Sequence, residues 1–247
     1  MIPNPIRKVL SSMRAHRVRA LLMGGQACVF YGAAEFSRDA DFALLADAAN
    51  LARLRKALAG LQAEQIAVPP FTLRYLRQGH AIHFRCHHPD ALRMRVDVMS
   101  KMRGVDGFAK LWKRRTTIEL PDGTLCDLLS LPDLVQAKKT QRDKDWPMIR
   151  RLVEAHYFQH QKDPNSAQVK FWLRELRTPE LLIEVGHANA ALCRRLVPAR
   201  PLLTNATARN ATALERALMA EESAEREQDR IYWFPLRREL EKLRHAT

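Results

Sequence analysis

Residues 21–45 read LLMGGQACVFYGAAEFSRDADFALL, and the reading of this stretch decides the fold. An apolar run enters a Gly-Gly turn, a short apolar segment reaches Gly32, and two aspartates one residue apart, Asp39 and Asp41, open a second apolar run. Alternation along a strand turns residues i and i+2 to the same face, so Asp39 and Asp41 project their carboxylates side by side. Like charges held that close call for a cation. Hard divalent ions take oxygen ligands and commonly bind one or two carboxylates together with substrate phosphates, so the pair points to a metal-assisted phosphate site. Gly24 and Gly25 let backbone N–H groups come close to a phosphate, and the helix expected over 26–31 favours an anion at its start. Taken alone, the two glycines read as an ordinary tight turn; the aspartates downstream shift the reading toward function.

The order Gly24-Gly25, then Ser37-Arg38-Asp39-Ala40-Asp41-Phe42, resembles the signature of the nucleotidyltransferase superfamily, which includes aminoglycoside nucleotidyltransferases, minimal nucleotidyltransferases and abortive-infection toxins. The run RMRVDVM at 93–99 has strand alternation, and its Asp97 resembles the family's third carboxylate by order and context. Residues 134–145, with Lys138, Lys139, Arg142, Lys144 and Asp145, are similar to the family's helical basic segment. The resemblance covers roughly residues 18–155. It implies Asp39, Asp41 and Asp97 as catalytic residues and as ligands of Mg²⁺ or Mn²⁺. It also implies Gly24, Gly25, Arg38, Lys138 and Arg142 as contacts of a nucleoside triphosphate such as ATP. The fold implied is α/β (α+β), a nucleotidyltransferase-like mixed sheet with flanking helices over 1–160, followed by a helical C-terminal domain over 161–247. The activity implied is transfer of a nucleoside monophosphate to an acceptor such as tRNA, a protein or a small molecule. A non-catalytic, antitoxin-like binding module that keeps the fold is the competing expectation.

Outward from this centre, 5–16 has Ile6, Val9, Leu10 and Met13 at helical spacing with Arg7, Lys8 and Arg14 among them, a basic amphipathic helix. Leu51, Leu54, Leu58 and Leu61 predict a second helix, capped by Asp47. Residues 71–76 fit helix or strand. Residues 80–86 alternate and predict a strand paired with 93–99. His80, His83, Cys86, His87 and His88 suggest zinc, but in a strand 80 and 83 face opposite ways and the spacing fits no familiar ligand set, so a histidine near phosphate or acceptor is preferred. Residues 101–115 read as a basic helix with Phe108, Leu111 and Trp112 interleaved, and Pro121-Asp122-Gly123 as the turn of a hairpin between 116–120 and 124–128. Ser130 starts a helix on which Lys138, Arg142 and Asp145 fall at i, i+4 and i+7, one face that can carry two cations or a surface ion-pair ladder. Residues 146–159 form another helix, 161–166 a linker, and the remainder is helical, interrupted at Pro198 and Pro201 and broken before Pro235.

The 247 residues are 47% hydrophobic, enough for one large domain or two smaller ones, and a net charge of +14 favours polyanionic partners. RNA is therefore expected over a cationic aminoglycoside. Four dispersed cysteines predict neither a disulfide framework nor a zinc ribbon and suit a reducing cytoplasm. No stretch approaches the ~20 apolar residues that span a bilayer, and a soluble protein is expected.

Overall fold

The computed structural model describes residues 4–34, 36–120 and 123–245. The described residues form an α+β protein with one seven-stranded mixed sheet and twelve α-helices. They group into two compact units. One holds the residues up to Phe30, Ala34–Ala137 and those from Tyr232 onward; the other holds Tyr31–Ala33 and Lys138–Ile231.

In the first unit, helix α1 (Asn4–Ala15) buries Ile6, Val9, Leu10 and Met13, the stripe expected from their spacing. Strand β1 (Ala20–Met23) runs straight into helix α2 (Gly24–Phe30), with Gly24 at φ +66° making the turn at the junction. Strand β2 (Asp39–Leu44) is followed by helix α3 (Ala48–Gly60), whose orphan N–H at Asn50 donates to the Asp47 carboxylate at 2.7 Å. Then come β3 (Ala63–Gln65), α4 (Leu73–Gln78), β4 (Ile82–Cys86), a 3₁₀ turn (Pro89–Ala91), β5 (Arg95–Met99), α5 (Phe108–Lys113), β6 (Thr116–Glu119), β7 (Leu125–Leu128) and α6 (Leu131–Lys138). The strand order is β3-β4-β5-β2-β1-β7-β6. Strand β2 pairs antiparallel with β1 and parallel with β5, while β4 and β5 form the expected antiparallel pair. The hairpin β6–β7 is also present; Pro121 and Asp122 of its proposed turn lie outside the described residues.

Two local expectations are corrected, and one left open is decided. Residues 71–76, open between helix and strand, lie mainly in helix α4. The basic helix expected over 101–115 is confined to α5, because Gly104 sits at φ 68° and Gly107 provides the extended residue from which the helix starts. The continuous helix expected to carry Lys138, Arg142 and Asp145 is interrupted: α6 ends at Lys138, and α7 (Asp145–His160) begins at Asp145.

The second unit is helical, with α7, α8 (Ser166–Glu175), α9 (Pro179–Ala188), α10 (Ala190–Leu196), α11 (Leu203–Thr207) and α12 (Ala211–His245) as far as Ile231. Residues 161–166 connect α7 to α8 inside this unit, where Asn165 and Gln168 form a reciprocal capping box. Pro235 does not divide the last segment; it lies inside helix α12, which is 35 residues long. Buried Arg200 donates to both Glu221 oxygens at 2.9 Å and to the Leu173 and Leu176 carbonyls at 3.0 Å, so its charge and most of its donors are satisfied within the helical core. Trp172 is core, as aromatic residues at helical spacing usually are.

Candidate active site

Strand alternation and pairing assemble the three acids. Asp39 and Asp41 share a face of β2, and the parallel register sets Asp41 opposite Asp97 and Asp39 opposite Arg95. Cross-strand neighbours stand on the same face of a sheet, ~4.8 Å apart along the hydrogen-bonding direction. One sheet face therefore carries Asp39, Asp41 and Asp97 with Arg95 among them.

The glycines close this group from the β1–α2 junction. Register places Met23 opposite Asp41, so the next residue, Gly24, lies directly against that aspartate. A Cβ on Gly24 would stand 1.9 Å from Asp41 Oδ2, and the residue holds φ +66°. Only glycine meets both demands without displacing the carboxylate. A Cβ on Gly25 would stand 2.7 Å from Ser37 Oγ, and the Ser37 hydroxyl donates to the Asp39 carbonyl at 3.2 Å. Arg38 is exposed in the bend that leads into β2.

Asp97 already has cationic company. Arg95 Nε donates to its Oδ1 at 2.8 Å, and His83 Nδ1, from the facing position on β4, lies 2.9 Å from the same oxygen. Arg95 also reaches His83 Nδ1 at 2.9 Å, so that nitrogen either accepts from Arg95 or donates to Asp97. Burial raises the Asp97 pKa, but hydrogen bonds from His83 and Arg95 and their charges outweigh it and hold the carboxyl below its usual range. The Arg95 guanidinium is correspondingly shifted up, first by its bond to Asp97 and further by the fields of Asp97, Asp39 and Asp41. Arg95 is the site residue that sequence reading missed. Its signal was present, two residues before Asp97 in an alternating strand and hence on the same face.

The histidine cluster does not gather. His83 turns to Asp97, His87 to Glu64 at 2.9 Å, and buried His80 to Glu239 at 2.8 Å. Among the described residues, no group of three His, Cys, Asp or Glu side chains is placed to hold one metal ion. Two carboxylates, completed by phosphate oxygens and water, nevertheless form a common Mg²⁺ environment, and the Asp39–Asp41 pair has that donor chemistry.

Lys138 and Arg142 both end on Asp145, in the second unit. Lys138 Nζ donates to Oδ1 at 2.9 Å, Arg142 Nε to Oδ2 at 2.7 Å, and the Thr140 hydroxyl to Oδ2 at 2.6 Å. Burial raises the Asp145 pKa, but the Lys138 charge, the Thr140 hydrogen bond and the Arg142 charge together lower it. Lys138 is 8% exposed and Asp145 1%, which makes this a buried ion pair rather than a surface ladder.

No protein-family model matches the chain, and no curated protein matches it in sequence.

Proposed function

We propose that the chain is a nucleotidyltransferase-like enzyme that moves a nucleoside monophosphate from a nucleoside triphosphate to an acceptor, with RNA such as tRNA favoured. The observation that supports this reading best is the registered group of Asp39, Asp41 and Asp97 on one sheet face, with Gly24 packed against Asp41. In the reaction an acceptor hydroxyl oxygen attacks the α-phosphorus, the bond to the bridging oxygen breaks, and pyrophosphate leaves with that electron pair. Asp39 and Asp41 would hold Mg²⁺ or Mn²⁺, which would supply Lewis-acid stabilisation of the developing charge. Gly24 and Gly25 let the start of α2 come up against Asp41 and Ser37, and the resemblance assigns their backbone N–H groups to the phosphates. Asp97 would complete a second metal site or take the acceptor proton as base, and either role needs Arg95 to yield the oxygen it now holds. Arg38 is an exposed phosphate contact, and the resemblance assigns the same task to Lys138 and Arg142, each of which would have to leave Asp145. Cytoplasmic action on a polyanion suits the +14 charge.

The test is Asp39→Asn and Asp41→Asn, each with labelled triphosphates, Mg²⁺ and total RNA. Loss of transfer with an unchanged circular dichroism spectrum is expected, and near wild-type transfer by either variant would overturn the metal assignment. A second reading is favoured by one observation, the Arg95–Asp97 pair: a guanidinium already occupies one of the three carboxylates on this face, as in a non-catalytic, antitoxin-like module that keeps the fold. Thermal shift separates the two. A ligand that binds only the native state raises its stability, so a joint shift with Mg²⁺ and a triphosphate supports the enzyme, and its absence supports the module.

A further inference from the structure

The first unit contains a cavity of about 350 Å³ with an apolar floor that includes Leu10, Met13 and Phe42. Phe42 alternates with Asp41 along β2, so the floor belongs to the sheet face opposite the three acids. Around the cavity stand Arg14, Arg17, Arg19 and Arg53. All four are exposed, and none forms an ion pair among the described residues. The cavity's one carboxylate, Asp127, is committed elsewhere, to Arg115 at 2.8 Å and the Thr117 hydroxyl at 2.6 Å. The wall is therefore strongly cationic with no internal anion to offset it.

The cationic wall is also braced. The Arg19 guanidinium lies 4.7 Å from the centre of the Trp112 ring, and Arg115 lies 4.3 Å from it while donating to the Trp112 carbonyl. The Arg19 backbone is clamped by the 1%-exposed Asn50, which accepts from its N–H at 2.7 Å and donates to its carbonyl at 3.0 Å. Four exposed guanidiniums come from three separate segments, α1, the loop after it and α3, around an apolar hollow. A single enclosed oxyanion would use one convergent cradle. Several phosphates with sugar and base in the hollow suit four such groups, and guanidinium forks suit phosphate oxygens better than ammonium groups do.

We infer that this cleft is an RNA-binding surface that takes the phosphate backbone of a single strand, on the sheet face away from the carboxylates. The inference does not depend on transfer chemistry, and the test is run with EDTA so that metal-dependent binding at the acids does not contribute. A fluorescein-labelled, mixed-sequence single-stranded oligoribonucleotide is titrated by anisotropy with the full chain, with Arg14→Glu/Arg53→Glu, with Arg14→Gln/Arg53→Gln, and with Lys162→Glu/Lys170→Glu. The last pair is exposed and lies in the helical unit, and it carries the same charge change as the first. Both arginine pairs are expected to weaken binding at least ~tenfold and to lower the salt slope by about 1.4, because two phosphate contacts on a single strand are lost. The lysine pair is expected to change affinity less than about threefold. Equal weakening by the lysine and arginine pairs would overturn the site, since bulk charge would then explain binding. So would an arginine effect below threefold, or displacement of the strand by free ATP at equal phosphate concentration, which would make the cleft a mononucleotide site. Unchanged circular dichroism and melting of the Gln variant keep a loss of fold from imitating the expected result.

Discussion

Replacing Gly24 by alanine tests the geometry of the candidate site directly. The new methyl group faces two separate obstacles. The backbone holds φ +66°, where an L side chain costs about 1 to 2 kcal/mol, and the Cβ would stand 1.9 Å from Asp41 Oδ2 and 2.8 Å from Asp41 Cβ. The carboxylate end can swing away, but the Asp41 Cβ is fixed to its strand, so relief requires a backbone shift of the kind that costs about 1 to 3 kcal/mol in packed interiors. The two add to about 2 to 5 kcal/mol. Gly32 provides the internal comparison: it holds φ +74°, yet its Cβ would meet nothing within 4 Å. Gly32→Ala should therefore cost only the backbone part, about 1 to 2 kcal/mol. Urea unfolding of both variants measures the difference, and native-state hydrogen exchange at the β1 and β2 amides locates it. Adding Asp41→Ala to Gly24→Ala should recover part of the loss, because the closest atom is removed while the Cβ contact remains. A Gly24→Ala variant no less stable than Gly32→Ala, or one that retains full transfer, would refute the close approach of the helix start to Asp41.

Two further outcomes concern the helical unit. Lys138→Ala leaves the Asp145 carboxylate buried with only Arg142 and Thr140 beside it, and breaking a buried pair typically costs about 3 to 5 kcal/mol, so destabilisation near the lower end is expected in chemical denaturation; a loss below 1 kcal/mol would show that the lysine is not committed to this pair. His156 accepts from the Trp172 indole at 2.9 Å and is pushed down to about 4, first by burial and then by the His160 charge. Because the unfolded chain binds the proton more readily, stability should be full above about pH 6.5 and fall as the pH drops toward 4, by about 1 to 2 kcal/mol after allowing for partial exposure. His156→Gln, which keeps an acceptor for the indole, should flatten that part of the pH profile.

Local periodicity carried a large part of this structure. The spacing of Ile6, Val9, Leu10 and Met13, the cap at Asp47 and the alternation of 93–99 each follow from contacts within a few residues, so sequence alone was enough to place them. The same alternation put Asp39 and Asp41 on one face. Partners distant in sequence depended on the tertiary structure. The parallel pairing of β2 with β5 sets Asp97 opposite Asp41 and brings Arg95 into the acids, and no local rule specifies which strands become neighbours. Helical spacing placed Lys138, Arg142 and Asp145 on one surface; the structure breaks the helix between them and still joins all three, because a buried carboxylate gathers the available cations through a loop as well as along a helix. The passage of α12 through Pro235 shows the same limit, since the local cost of a proline was outweighed by the rest of a 35-residue helix. The arginine cleft is the clearest case: its residues span 10–127 in the chain, and only folding brings Arg53 and Trp112 to the loop between α1 and β1.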